Sequence, residues 1–153
     1  MTVSYDDFTA AFLNKITEYT FVHLNMGDRE AVVDTYMKSA CADFSHICRA
    51  NITEWDDETR SFELKVGEED VSSGELYEII DIVSDGMVYQ WFKQYMYAQE
   101  NLQNMLNTSD FTSYSPSELL YRMTTAYKQA ERNFINRMRE YSYRYGDLTV
   151  LHI

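Results

Sequence analysis

The sequence predicts a mainly α-helical chain, an antiparallel bundle of about four helices with one small β-hairpin and a β-prone C-terminal tail. Three observations lead there. Apolar residues recur at helical spacing over four long stretches. Breakers are scarce, with one Pro and five Gly in 153 residues. Only over residues 51–66 does the apolar period fall to two. That length suits one domain able to bury a core without disulfide or metal staples. Residues 1–147 read as the helical domain and residues 148–153 as a separate terminal strand.

The first helix is expected from about Tyr5 to Thr17. Ser4 can cap it, Asp6 and Asp7 suit the positive end of the helix dipole, and Phe8, Phe12 and Ile16 share a face. Tyr19 to Leu24 is short and β-rich, and reads as a frayed helix end or a connector. Asp28 is placed to cap a second helix running to about Ala50, with Val33, Met37, Ala40, Cys41, Phe44, Ile47 and Cys48 as its apolar stripe. Phe62, Leu64 and Val66 then alternate with Glu63 and Lys65, as in a half-exposed strand. Asn51–Trp55 is the expected partner, and Asp56-Asp57-Glu58-Thr59 the acidic turn between them.

Ser72 and Glu75 have the spacing of a capping box for the third helix. Leu76, Ile79, Ile80, Val83, Met87, Trp91, Tyr95, Ala98, Leu102 and Met105 carry the period to Leu106, roughly 50 Å if straight. That length suggests contact beyond the domain, and Gly86 within it suggests a kink or a close packing contact. Asn107–Tyr114 is a polar loop. Ser115-Pro116-Ser117-Glu118 is the clearest helix start in the chain, with an N-cap, a proline at the first helical position and a capping box. Leu119, Leu120, Met123, Tyr127, Ala130, Phe134, Met138 and Tyr141 form the stripe of the fourth helix, and Gly146 suits its end. The apolar, β-prone segment Leu148-Thr149-Val150-Leu151-His152-Ile153 has the composition of a strand that pairs with something.

Charge is unevenly spread. The net charge is −12, with 21 acids and 7 bases over residues 1–113 but 4 acids and 6 bases over residues 114–153. Such a surface repels phosphates, which disfavours specific nucleic-acid binding. The N-terminus has no basic region of the kind a signal peptide carries, and no stretch of about 18 apolar residues is present to span a membrane. Cys41 and Cys48, seven apart on one helix, would lie roughly 10 Å apart, too far for a disulfide. They read as buried thiols.

No catalytic or metal-binding constellation emerges, so neither an enzyme nor a cofactor is expected. Phosphate-cradling glycine loops are absent from the sequence. A di-iron bundle needs two Glu-x-x-His pairs; the nearest match is a single Asp43-x-x-His46. Cys41, His46 and Cys48 do not converge on a tetrahedral zinc site from one helix. Cys41 or Cys48 with His23 lacks any visible oxyanion loop. The carboxylate runs Asp56-Asp57-Glu58 and Glu68-Glu69-Asp70 read as solvated surface. On the fourth helix Arg122, Lys128, Arg132, Arg137, Arg139 and Arg144 interleave with Tyr121, Tyr127, Tyr141, Tyr143 and Tyr145. That pattern can bind single strands. In so acidic a chain, the acidic half of the chain or of a neighbouring copy is the better partner. These six bases are therefore candidate inter-subunit residues.

The order of two helices, acidic hairpin, very long helix, capped fourth helix and β-prone tail resembles the head-to-tail connector (adaptor, or neck) proteins of tailed bacteriophages. The runs QENLQNMLNTSDFTSYSPSELL (Gln99–Leu120) and EYSYRYGDL (Glu140–Leu148) are similar to small neck proteins of that class. The resemblance implies a structural virion protein, made in the host bacterial cytoplasm and residing at the head–tail junction. Copies would form a ring, typically of about twelve, under the portal protein and above the next neck or tail-completion protein. The portal-docking role would fall on Leu148, Thr149, Val150, Leu151, His152 and Ile153. DNA would pass without specific binding through an electronegative channel, for which Asp56, Asp57, Glu58, Glu68, Glu69 and Asp70 are the candidates. The alternative is an acidic helical protein-interaction module, an inhibitor or regulator acting as a monomer or dimer.

Overall fold

Ser4 both ends a strand and starts a helix. Its backbone is extended and its hydroxyl accepts from the Asp6 N–H at 3.2 Å, so Tyr5–Ile16 begins as the sequence predicts. In the computed structural model the chain is described over residues 1–17, 29–97 and 116–145. Those residues are mostly helical, with a small antiparallel sheet. The order is β1 (Thr2–Ser4), α1 (Tyr5–Ile16), α2 (Arg29–Cys48), β2 (Ala50–Asp56), β3 (Ser61–Val66), β4 (Glu69–Asp70), α3 (Ser73–Tyr97) and α4 (Pro116–Tyr145). The expectations for Tyr19–Leu24, Asp28, the continuation of α3 to Leu106, the loop at 107–114, Ser115, Gly146 and the tail Leu148–Ile153 fall outside the described residues.

The expected hairpin is β2–β3. Asn51 pairs with Lys65, Ile52 with Leu64 and Thr53 with Glu63, and a bulge follows between Thr53 and Asp56. The alternation works as read: Phe62 and Leu64 are buried while Lys65 is exposed. Two more strands complete the sheet. β1 pairs antiparallel with β3, Val3 opposite Phe62, and β4 pairs with the other end of β3. A three-residue strand has too few positions to show a period, so β1 was not legible in the sequence. Val3, 2% exposed, shows why it forms: it closes the core beneath the sheet. Gly67 turns β3 into β4 with φ +70, a conformation that costs a side chain about 1 kcal/mol or more.

α3 is the central element. It packs against α1, α2 and α4, which is why Ile79, Ile82, Val83, Met87, Val88, Trp91 and Phe92 are all buried. A single helical stripe predicts only part of that set; a helix with neighbours on three sides is apolar nearly all round. Its length is thus consumed, as far as Phe92, by this chain's own core, where the sequence suggested contact with another body. Ser72 accepts from the Glu75 N–H at 3.3 Å, as predicted, but the Glu75 carboxylate turns away to accept from the Tyr141 hydroxyl at 2.6 Å. Along α3 and α4, Glu75 meets Tyr141, Asp85 meets Arg137 and Tyr89 stacks on Tyr127, so the two run antiparallel.

Gly86 marks close packing. A Cβ built there would lie 2.6 Å from Phe134 Cζ and 2.9 Å from Ala40 Cβ, so α2, α3 and α4 meet at a point that admits only hydrogen. Among the side chains described, the core stripes of α2 and α4 follow the sequence reading, with Tyr127 half-buried and with two corrections. Ile47 and Leu120 are each 38% exposed, because each falls at the margin of its helix's buried arc. Both cysteines are buried and unbridged, as expected.

Candidate interaction surfaces

The acids of the two turns do not form one patch. Asp56, Asp57 and Glu58 lie where β2 turns into β3, whereas Glu68, Glu69 and Asp70 lie where β3 turns into β4. A six-residue strand separates the two groups, roughly 17–20 Å. Half of them are engaged within the chain. Asp56 accepts from the Thr59 and Glu58 N–H groups, at 3.2 and 2.9 Å, and those bonds hold its carboxyl below the ordinary value. Lys38 and then the Tyr5 hydroxyl hold Asp57 below its ordinary value, at 2.8 and 2.9 Å. The N-terminal amine does the same for Asp70 at 2.9 Å. Glu58, Glu68 and Glu69 are exposed and form no ion pair with a described residue. The six acids therefore do not form one continuous wall within the chain.

Beside the first turn an aromatic cluster anchors the sheet. Trp55 packs on Phe62 with centroids 4.7 Å apart and on Tyr5 at 5.9 Å, and Lys38 sits over both the Trp55 and Tyr5 rings. Trp55 remains 38% exposed in a groove of about 470 Å³ with Phe62, Glu54, Asp56 and Glu63 around it. Burial, reinforced by Asp57, pushes the Tyr5 hydroxyl up to about 12. Arg60, at φ +53 in the turn, ties sheet to helices through Asp34, Asp6 and Glu30, at 2.6, 3.2 and 2.6 Å.

A second charge cluster joins three helices. Lys15 of α1 lies 2.7 Å from both Asp81 and Asp85 of α3, and Arg137 of α4 lies 2.6 Å from each. Burial alone would push the Asp81 carboxyl up; the hydrogen bonds from Lys15 and Arg137 outweigh it and hold it down. The depression of about 290 Å³ beside the cluster is lined by these same four charges, which neutralise one another and leave none to recruit a ligand.

The six bases of α4 separate into two sets. Arg137 is bound to α3, Arg144 pairs with Glu78 of α3, and Arg122 pairs with Glu118 at 3.6 Å on its own helix. Arg137 and Arg144 lie on the flank of α4 that meets α3, where the acids at 78, 81 and 85 pair with them within the chain. Lys128, Arg132 and Arg139 are exposed and form no ion pair with a described residue. The signal that would have found the inner set is the i, i+4 pair Asp81 and Asp85, set among apolar positions of α3 where bare carboxylates are costly.

Neither thiol is available for chemistry at neutral pH. Burial pushes Cys41 and Cys48 each up to about 12, and the Cys48 thiol donates to the Met138 carbonyl at 3.4 Å. At pH 8 the folded protein is expected to give no reaction with a bulky aromatic disulfide, and both thiols react once guanidinium unfolds it. A thiol titrated in the native protein within mixing time would contradict this burial. Among the described residues no group of three His, Cys, Asp or Glu is placed to hold a metal, and no helix is long and apolar enough to cross a membrane. Leu148, Thr149, Val150, Leu151, His152 and Ile153 lie outside the described residues. Compared with protein-family models, curated proteins and solved structures, the chain matches none of them.

Proposed function

We propose that this protein is a ring-forming head-to-tail adaptor of a tailed bacteriophage, docking under the portal and forming part of the DNA channel. The observation that carries the reading is the order of elements around the resembling runs. A hairpin separates α2 from α3, and α4 is a 30-residue helix beginning at Pro116 within the first run. The second run overlaps its last turns, and the segment Leu148–Ile153, β-prone in composition, follows in sequence. In this reading the four helices form an antiparallel bundle, and the tail adds a strand to a sheet edge of the portal. Main-chain hydrogen bonds would hold each copy, and repetition around a closed ring would multiply weak contacts.

Half of the acids named for the channel have partners within the chain. The electronegative lining thus reduces to Glu58, Glu68 and Glu69, repeated by symmetry. Repetition supplies the charge one protomer lacks: DNA slides where the walls repel its phosphates.

Size-exclusion chromatography of the protein mixed with the portal from the same genome tests the docking. The full chain is expected to co-elute with the portal, and a chain ending at Asp147 to lose at least about tenfold in affinity. Co-elution unaffected by truncation would refute the tail's role. A monomer that ignores the portal would refute the adaptor and favour the acidic interaction module.

A further inference from the structure

We propose that the outward face of α4 binds the Trp55 groove of a second copy, so that protomers join head to tail. The inference rests on the ring-forming reading and specifies which surfaces make the ring.

The face is defined by spacing. Tyr121, Thr125, Lys128, Arg132, Asn136, Arg139 and Tyr143 fall within about 80° of arc on an ideal helix, opposite the buried arc of Met123, Ala130, Phe134, Met138 and Tyr141. The stripe spans 23 residues, roughly 33 Å. Between its ends it holds three cations and no carboxylate; Glu131 and Glu140 lie about 80–100° away on either flank. Tyr121 and Tyr143 are 72% and 70% exposed, so a partner can cover both rings without rearrangement of the core. Tyrosine and arginine on a dry-able face are the residues that interfaces concentrate.

The complementary surface is on the same chain but out of reach within one protomer. α4 packs on α3 and α2, whereas the sheet packs on α2 and α1. The stripe points away from the core that both share. At the sheet, the bulge between Thr53 and Asp56, with Glu54 at φ +54, opens the groove in which Trp55 is half exposed. Glu54, in the lining of that groove, forms no ion pair with a described residue. An aromatic plane edged by carboxylates takes a guanidinium by stacking and pairing together. Within the chain a cation already sits over each of two rings of this cluster: Lys38 lies 5.8 Å from the Trp55 centroid and the Arg60 guanidinium 5.4 Å from that of Tyr5. Two different surfaces on one chain make a heterologous contact, which repeats from copy to copy and closes into a ring when the rotation permits. Nucleic acid is the less favoured occupant of the stripe, because the chain carries a net charge of −12.

Light scattering on the full chain at low and high salt, about 50 and 500 mM, tests this. The stripe variant is Lys128→Glu, Arg132→Glu, Arg139→Glu; the groove variant is Glu54→Lys. Wild type is expected to associate at low salt and dissociate at high salt. Each variant alone is expected to stay monomeric, with affinity down at least about tenfold. An equal mixture is expected to regain association, because reversed faces attract one another and the native faces remain. Recovery in the mixture also shows that both variants fold; should either misfold by circular dichroism, the Gln versions at the same positions replace it. A monomeric wild type, association indifferent to both variants, or a mixture that stays monomeric would each overturn the proposal. So would retardation of a single-stranded oligonucleotide by wild type and not by the stripe variant. A ring under the portal formed equally well by the stripe variant sinks this interface and leaves the adaptor standing. Association through these faces without portal binding does the reverse.

Discussion

Gly86→Val is expected to lower stability by about 3 kcal/mol, the upper end of what overpacking a core costs. The reason is geometric. A Cβ at 86 would stand 2.6 Å from Phe134 Cζ and 2.9 Å from Ala40 Cβ. The first atom belongs to a ring 1% exposed, with no solvent to swing into, and the second is itself a Cβ fixed to the α2 backbone. Relief requires α3 to move off α2 and α4 together. Gly86→Ala separates this from propensity: alanine gains about 1 kcal/mol as a helix former, so a net loss shows that contact wins. Denaturation in guanidinium, read as a midpoint at unchanged slope, gives both numbers. Pairing Gly86→Ala with Phe134→Leu should cost less than the sum of the two, since the smaller side chain vacates the contested space. An alanine variant more stable than wild type would contradict the three-helix contact.

Arg137→Met is expected to cost about 2 kcal/mol. Removing one partner of a fully buried pair costs about 3–5 kcal/mol; Arg137 is a third exposed, so solvent screens part of that loss. Asp81 and Asp85 would keep only Lys15. The effect has a pH signature. The Asp81 carboxyl is held below its ordinary value of 3.8, so its contribution is present above that value and is lost as pH falls through the lower, folded one. In the variant one of the two holding cations is gone and burial pushes the carboxyl up, so acid unfolding begins at higher pH. Acid melts of both proteins in guanidinium check the order. Equal acid midpoints would show that the cluster does not depend on Arg137.

These two positions show what the sequence could and could not convey. Gly86 was visible as a lone glycine in a helical period, and close packing was one of two readings. Which neighbours it touches depends on how three helices meet, and no local pattern encodes that. The stripes of α1, α2 and α4 were legible because each helix buries one face. α3 buries more, and a period of 3.6 described only part of it. The hairpin was legible from its alternation. β1 was not, because it is a strand only through its pairing with β3. Among candidate residues, composition identified six bases on α4. It could not divide them, since the division depends on which flank meets Glu78, Asp81 and Asp85 of α3. The six turn acids looked like one surface because they are near in sequence, and β3 sets them apart in space.

The partners found within the chain narrow the account and sharpen it. Lys15, Arg137, Arg144, Lys38, Arg60 and the N-terminal amine form ion pairs between elements of the chain. The bases at 128, 132 and 139 on α4 and the acids at 54, 58, 68 and 69 about the sheet are among the described charges that form no ion pair with a described residue. Cations on the outward stripe of α4 and the carboxylate of Glu54 at the Trp55 groove suit the contact between copies proposed above.

The central claim is the ring at the portal, and imaging tests it most directly. Negative-stain class averages of the protein mixed with the portal from its own genome are expected to show added density as a ring beneath the portal. The ring should have an open axial channel and rotational symmetry matching a closed set of about twelve copies. Portal particles indistinguishable from portal alone, at protein concentrations well above those of assembly, would contradict the claim.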